Sequence, residues 1–295
     1  MHLLTSGMPH FPDMTSSQGW KIPLKGEEKY GPPVVALGKF DALHRGHQSL
    51  AIAAVHLGGT PYLMSFKGMD KILGWEPRLP LVADCDRATV LESWRGVCSG
   101  AVPSECIIPF SEIHKMSPEE FVRLLAEDLC ANGVVVGSNY RFGYRAAGTA
   151  ETLKKIGEGC GMKVRILNLL EANVPMSRGV GNVVSSSKIR QGLSSGDMRL
   201  VEQCMGRKYR LIADMSDMVI ENDNSAMIKV EKFLNQFPRT GEYLVKVWIS
   251  MDCTSDQMSF LGETKAIFSD EASLLEGPTN LSQIDGSHII LEFQS

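Results

Sequence analysis

The chain has 295 residues, 43% of them hydrophobic and 22% charged, with a formal net charge of −4. That length allows a substantial core and suggests two domains, and the ordinary composition excludes a disordered chain. The excess of acids argues against a broad nucleic-acid surface, no apolar run approaches the roughly 18 residues of a membrane span, and any phosphate binding must be local.

Residues 1–30 are polar and rich in Gly, Pro and Ser, with neither an apolar secretory core nor an Arg-rich amphipathic pattern, and read as a flexible leader. From Pro32 onward, β-branched runs alternate with helical stretches, which predicts a parallel sheet covered by helices. The expected strands are 34–37, 61–66, 106–109, 134–136 and 164–167, and the expected helices lie near 48–57, 84–94, 118–129 and 149–158. The third helix carries the fullest start signal: Ser117 as cap, Pro118 in the first turn and Glu120 to complete a capping box. Two short helices follow at 187–193 and 198–205. Beyond 205 alternation and turns replace helices, at 227–230, 243–249, 265–268 and 288–293, so residues 206–295 read as a smaller antiparallel β domain after an α/β domain at 31–205. Seven scattered cysteines without a C-x-x-C pair read as free thiols in a reducing compartment.

The first strand runs into Gly38-Lys39-Phe40-Asp41-Ala42-Leu43-His44-Arg45-Gly46-His47, a turn and then a helix start. In an open α/β sheet ligands sit beyond the carboxyl ends of the strands, which puts a nucleotide at this turn. Gly38 and Gly46 let the backbone approach a phosphate, the helix start offers free N–H groups, and His44 and His47 lie three residues apart, on one face of a first helical turn. A metal would need further ligands, and no Cys/His cluster supplies them. G-x-F-D-x-x-H-x-G-H resembles the nucleotidyltransferase superfamily motif in the form shared by bacterial-type FAD synthetases.

Other segments extend the resemblance to about residues 34–207. Gly137-Ser138-Asn139-Tyr140-Arg141-Phe142-Gly143 is similar to the family's loop after a central strand. There Asn139 offers directional hydrogen bonds and Tyr140 and Phe142 offer π faces to a flat heteroaromatic ring, flavin or adenine. Ser185-Ser186-Ser187-Lys188-Ile189-Arg190 resembles the family's S-S-T-x-x-R element, with Ser187 in place of Thr. Hydroxyls and amides at a helix start, with Arg190 one turn on, make a second anion clamp. The stretches from Pro77-Arg78-Leu79-Pro80 through Arg87 and Ser117-Pro118-Glu119-Glu120-Phe121 match as well, and Gly74-Trp75-Glu76-Pro77 and the segment from Gly38 to His44 are most similar to plant monofunctional members, which are plastid proteins.

The resemblance implies a Rossmann-like domain of the H-x-G-H type that joins ATP to FMN to give FAD and pyrophosphate, with Mg²⁺ on the phosphate chain. Gly38, Phe40, Asp41, His44, Gly46, His47, Ser186, Ser187 and Arg190 would bind ATP, with His44, His47 and Arg190 catalytic. It also implies residence in the plastid stroma with small-molecule substrates as partners, while composition and charge predict a soluble protein with neither nucleic acid nor membrane as partner. The stretch from Leu200 to Arg210 is similar to the start of the riboflavin-kinase barrel of bifunctional relatives, but their P-T-A-N element is absent. Asn222-Asp223-Asn224-Ser225-Ala226 has no Pro-Thr pair, so a degenerate barrel without kinase activity is expected. The rival readings are a nucleotidyltransferase acting on another phosphate acceptor and a non-catalytic flavin or nucleotide sensor.

Overall fold

The computed structural model describes residues 24–172, 182–216, 218–222, 225–253, 258–276 and 286–294. A five-stranded parallel sheet, in order β3-β2-β1-β4-β7, is built from β1 (Pro33–Leu37), β2 (Thr60–Lys67), β3 (Ser104–Pro109), β4 (Gly133–Gly137) and β7 (Lys163–Leu167). Strand β1 reads Pro-Val-Val-Ala-Leu and every residue of it is buried, as expected of a central parallel strand covered on both faces. The chain leaves β1 toward β2 on one side and later returns to place β4 on the other. The carboxyl ends of β1 and β4 therefore flank the point where the winding reverses, the usual ligand crevice of such sheets.

The crossovers are α1 (Arg45–His56); α2 (Met69–Leu73) and α3 (Arg87–Glu92); α4 (Phe110–Ile113) and α5 (Pro118–Arg123); and a small hairpin of β5 (Arg141–Phe142) and β6 (Gly148–Thr149) leading into α6 (Ala150–Gly159). The capping box on α5 forms as read, with Ser117 and Glu120 bonded reciprocally. The expected continuation to 129 instead widens after Arg123 into a π turn at Leu124–Asp128, which keeps Leu124, Leu125 and Leu129 all buried. The helix expected at 84–94 is divided into a 3₁₀ turn at Asp84–Asp86 and α3. Asp86 is buried there, 3.2 Å from Arg210. The last two helices of this half are α7 (Ser186–Ser195) and α8 (Met198–Met205).

Residues 1–23, most of the expected leader, lie outside the described residues. Residues 24–30 are bonded to the α/β unit: the Leu24 N–H donates to Leu129 O, the Glu27 N–H to the Thr60 hydroxyl, and the Tyr30 hydroxyl to Gly100 O.

The rest of the chain forms a seven-stranded sheet in order β8-β14-β11-β12-β13-β10-β9. Its strands are β8 (Arg210–Asp214), β9 (Val219–Asn222), β10 (Ser225–Lys229), β11 (Gly241–Ser250), β12 (Ser259–Phe268), β13 (Ala272–Glu276) and β14 (His288–Phe293), all paired antiparallel. Val245, Val247 and Ile249 are buried on alternate positions of β11, the signature of a sheet with one covered face. One apolar cluster runs from Val34 and Leu50 through Leu193 and Val201 to Leu211, Val245 and Leu291, so α7 and α8 pack the two sheets into a shared core. The other face of the parallel sheet has its own cluster around Val35, Phe121, Leu125 and Val136. No helix among the described residues is long and apolar enough to cross a membrane.

Candidate functional site

The turn after β1 is held in a conformation the free chain would rarely adopt. Phe40 and Leu43 have φ of 47° and 44°, and left-handed backbone at such residues costs of order 1–3 kcal/mol each. Three arginine contacts over-determine it. Arg87 Nη2 donates to Phe40 O at 3.0 Å, Arg207 Nη2 to Ala42 O at 3.0 Å and Arg207 Nη1 to Leu43 O at 2.7 Å. The Asp41 carboxylate accepts from the Leu81 N–H at 3.1 Å and from Arg190 Nη2 at 2.8 Å.

That turn delivers His44 as the cap of α1 rather than as a residue inside its first turn. The His44 Nδ1 accepts the His47 backbone N–H at 3.2 Å, which places the neutral ring's proton on Nε2. The two imidazoles stack with centroids 3.6 Å apart, and the His47 ring lies 4.8 Å from that of Phe40. The glycines serve these rings. A Cβ on Gly46 would sit 3.1 Å from the His44 ring, and one on Gly38 would sit 3.2 Å from the Phe40 ring.

Burial strips both histidines of charge. The His44 pKa is pushed down from 6.5 to about 4, chiefly by desolvation with Arg207 nearby. His47 is held well below its ordinary value by burial and then by His44, Arg87 and Arg207. At neutral pH they are hydrogen-bonding groups without charge, so they cannot neutralise an anion as cations. His47 Nδ1 is buried and has no hydrogen-bond partner.

Across the cavity, Ser185 caps α7 by accepting the Lys188 N–H at 3.2 Å, and Ser186 and Ser187 form its first turn. Neither α1 nor α7 carries an acidic residue in its first turn, so each helix start presents unneutralised N–H groups and the positive end of its dipole. Asn139 and Tyr140 follow β4, and the Tyr140 and Phe142 rings lie nearly parallel with centroids 6.1 Å apart.

These parts enclose one cavity of about 810 Å³, lined by Gly38, His44, Gly46, His47, Asn139, Tyr140, Phe142, Ser186 and Ser187 among others. Phe40, Asp41 and Arg190 do not line it. Phe40 is wholly buried beside His47. Arg190 turns from the cavity toward Asp41, Leu79 O at 3.0 Å and the Gln236 side chain. Sequence reading missed Lys39, Trp75, Arg141 and Arg145, which line the same cavity. Lys39 Nζ lies 4.2 Å from the centre of the Trp75 ring. Its position just after the strand end was the signal that could have identified it. One end of the cavity is apolar, with Phe66, Phe110, Ile113 and Phe121. Among its described lining residues none is Asp or Glu. The described part of the wall thus offers a cation only hydroxyl and amide oxygens, which does not fit a resident Mg²⁺, an ion usually held through carboxylates together with substrate phosphates.

Residues 27–177 match the family model described as FAD synthetase. The chain is 40% identical over 230 residues to FAD synthetase 2, chloroplastic, of Arabidopsis thaliana, covering 76% of this chain and 62% of that one. It is 39% identical to FAD synthetase 1, chloroplastic, of the same plant, over 77% of this chain and 68% of that one. A bifunctional riboflavin kinase/FMN adenylyltransferase of Pseudomonas fluorescens is 26% identical over 72% of this chain and 68% of its own. A crystal structure described as a macrolide-efflux protein from Streptococcus pneumoniae superposes with a TM-score of 0.68 at 23% identity, over 92% of this chain and 88% of that one, a likeness of fold alone.

Proposed function

The chain belongs to the FAD synthetase family, and from that premise we propose that it transfers AMP from ATP to FMN, giving FAD and pyrophosphate. The observation that carries this is the convergence of two helix starts, at His44–His47 and Ser185–Ser187, on a cavity that also holds the Asn139–Tyr140 loop and an apolar end. The paired helix starts suit a phosphate chain, and the apolar end suits a flat ring system. A phosphate oxygen of FMN attacks the α-phosphorus, the bond to pyrophosphate breaks, and no covalent enzyme intermediate is needed. Such chemistry depends on alignment and charge stabilisation.

In this reading His44 and His47 donate hydrogen bonds from neutral rings, Ser186, Ser187 and the helix N–H groups grip the phosphates, and Lys39 supplies positive charge beside the turn. Asp41 and Arg190 hold the turn instead of touching nucleotide. Asn139 orients flavin or adenine, with Tyr140 and Phe142 as its walls. The described lining residues include no carboxylate for Mg²⁺, so the ion would be held by the nucleotide's own phosphates.

The domain plan follows the two sheets, with a catalytic unit of the H-x-G-H type up to about residue 205 and a degenerate riboflavin-kinase-like barrel from 206. The nearest remnant of the kinase element begins at Asn222 at the end of β9 and resumes at Ser225 on β10, with Asp223 and Asn224 outside the described residues. Plastid residence is supported by relatives described as chloroplastic.

Purified protein with ATP and Mg²⁺ should convert FMN to FAD, separated by chromatography. The same mixture with riboflavin should yield neither FMN, because the kinase's P-T-A-N element is missing, nor FAD, because riboflavin lacks the phosphate nucleophile. FMN formed from riboflavin at a rate comparable to FAD synthesis would overturn the reading of the second sheet. No FAD from FMN would favour a sensor.

A further inference from the structure

Away from the cavity, a cluster of chemically active side chains bridges the two sheets. Cys85, in the 3₁₀ turn before α3, and Cys253, just after β11, bring their sulfurs to 2.7 Å, and a His288 ring nitrogen lies within 4.8 Å of both. The pair is set in an apolar patch made by Ala83, Ile212 and Ile290. Cys85 is half-buried and Cys253 wholly buried.

We propose that Cys85 and Cys253 are a reversible thiol–disulfide pair that covalently joins the α/β unit to the seven-stranded sheet. The spacing selects this over a metal site, because two thiolates on one tetrahedral Zn²⁺, each about 2.3 Å from the ion, stand close to 3.8 Å apart. Sulfurs at 2.7 Å are nearer the roughly 2.05 Å of a bond. The two groups are also polarised against each other: their side-chain contact lowers the Cys85 pKa, while the same contact and burial raise that of Cys253. The more exposed sulfur is therefore the one biased toward thiolate, the form that attacks a disulfide.

The oxidant is a low-molecular-weight disulfide. The Cys85 thiolate attacks it, forming a mixed disulfide and releasing one thiolate. Cys253 then gives up its proton, which passes to the released thiolate, and attacks the Cys85 sulfur, expelling the second thiolate. Two protein thiols are oxidised by two electrons, the external disulfide is reduced to two thiols, and the protons end on those products. The cross-link matters because of where it sits. Cys85 is two residues before Arg87, which grips Phe40 O, and one before Asp86, which pairs with Arg210. Oxidation would fasten the junction that holds the turn bearing His44.

The test is independent of any FAD activity. The reduced full-length protein is incubated with oxidised glutathione, alkylated and digested without reductant for mass spectrometry. The expected result is a linked pair of peptides carrying Cys85 and Cys253, reversed by dithiothreitol, whereas the exposed Cys130 and Cys160 take up glutathione instead. Oxidation should raise Tm by roughly 5 °C in the wild type and leave Cys85→Ser and Cys253→Ser unshifted. The wild-type peptide map decides the matter even if a serine variant folds poorly. Separate Cys85 and Cys253 peptides after oxidation would overturn the proposal. So would one equivalent of Zn²⁺ retained by the reduced protein and lost in both variants.

Discussion

The loops at the carboxyl end of the parallel sheet and the seven-stranded sheet meet at the turn following β1, and they treat it differently. The loops face it with groups open to a ligand: two unneutralised helix starts, paired imidazoles, Asn139 and Lys39. Among the described residues, the antiparallel sheet and the segments flanking its strands supply none of those lining the cavity, yet they make several of the polar contacts that fix its edge. Arg207 holds two turn carbonyls, the Gln236 N–H donates to Pro80 O at 2.9 Å, and the Asn235 side chain reaches Leu81 O, Arg210 O and the Ile212 N–H. Leu81 in turn donates to Asp41. One region carries the proposed chemistry, and the strained turn beneath it is held from both sides, Phe40 by Arg87 and Leu43 by Arg207.

The strongest way to break that division is at the histidines. His47→Ala should lower FAD formation by about 100- to 1,000-fold, the usual loss for a donor aimed at developing charge, and His44→Ala somewhat less, with the circular dichroism spectrum unchanged. A folded double variant with near wild-type turnover would move the chemistry elsewhere.

Arg207 tests the other side. Arg207→Met keeps much of the stem but leaves Ala42 O and Leu43 O without their donor, and a buried polar group left unpaired costs about 1–3 kcal/mol. Urea unfolding should register a loss of about 2 kcal/mol or more, accompanied by a fall in kcat although Arg207 lies outside the cavity lining. Loss of stability without loss of turnover would make the second sheet a packing partner only.

A third test uses pH, with the sign fixed by His44. Its pKa is about 4 in the folded protein against an ordinary 6.5, so between those values the unfolded chain binds more protons and stability is lost as pH falls. From pH 7.5 to pH 5 that amounts to about 2 kcal/mol from this group. Asp86, raised to about 6 mainly by burial, acts in the opposite sense but equally in both proteins. His44→Gln should therefore gain on the wild type, by about that amount, as the pH is lowered in parallel urea titrations. Parallel curves would mean that the His44 ring is not desolvated.

Much of the first region was legible because its signals are local. Four of the five parallel strands follow from β-branched runs and β2 from an apolar-aromatic one, the Ser117 box from four adjacent residues, and the cavity-lining histidines and serines from motifs at helix starts. What escaped depends on partners distant in sequence. Strand β13 reads Ala-Ser-Leu-Leu-Glu, with no β-branched residue, and owes its form to pairing with β10 and β12. The neutrality of His44 and His47 follows from burial that no spacing reveals. Arg207 stands beyond the expected domain boundary, so nothing in its neighbourhood advertises contacts with Ala42 and Leu43.

Arg190 divides the two regions most finely, and it carries the smallest expected effect. Its place in S-S-S-K-I-R suggests a phosphate clamp, whereas its guanidinium spans Asp41 at 2.8 Å, Leu79 O at 3.0 Å and the Gln236 side chain, linking the turn, the segment after α2 and the second sheet. A lysine could keep a point charge near Asp41 but could not hold three acceptors in a planar fork. Arg190→Lys should then cost about 1 kcal/mol of stability and lower kcat by no more than about fivefold, the rate equivalent of that energy, with KM for ATP unchanged. A phosphate-binding Arg190 gives the opposite pattern: unchanged Tm, a raised KM for ATP and a larger fall in kcat/KM. Asp41→Asn separates the two further, since it removes the charge that Arg190 faces while Asp41 itself lies outside the cavity lining. If Asp41→Asn reproduces the stability loss of Arg190→Lys, and the double variant adds little to either, the pair acts as one strut beneath the histidines.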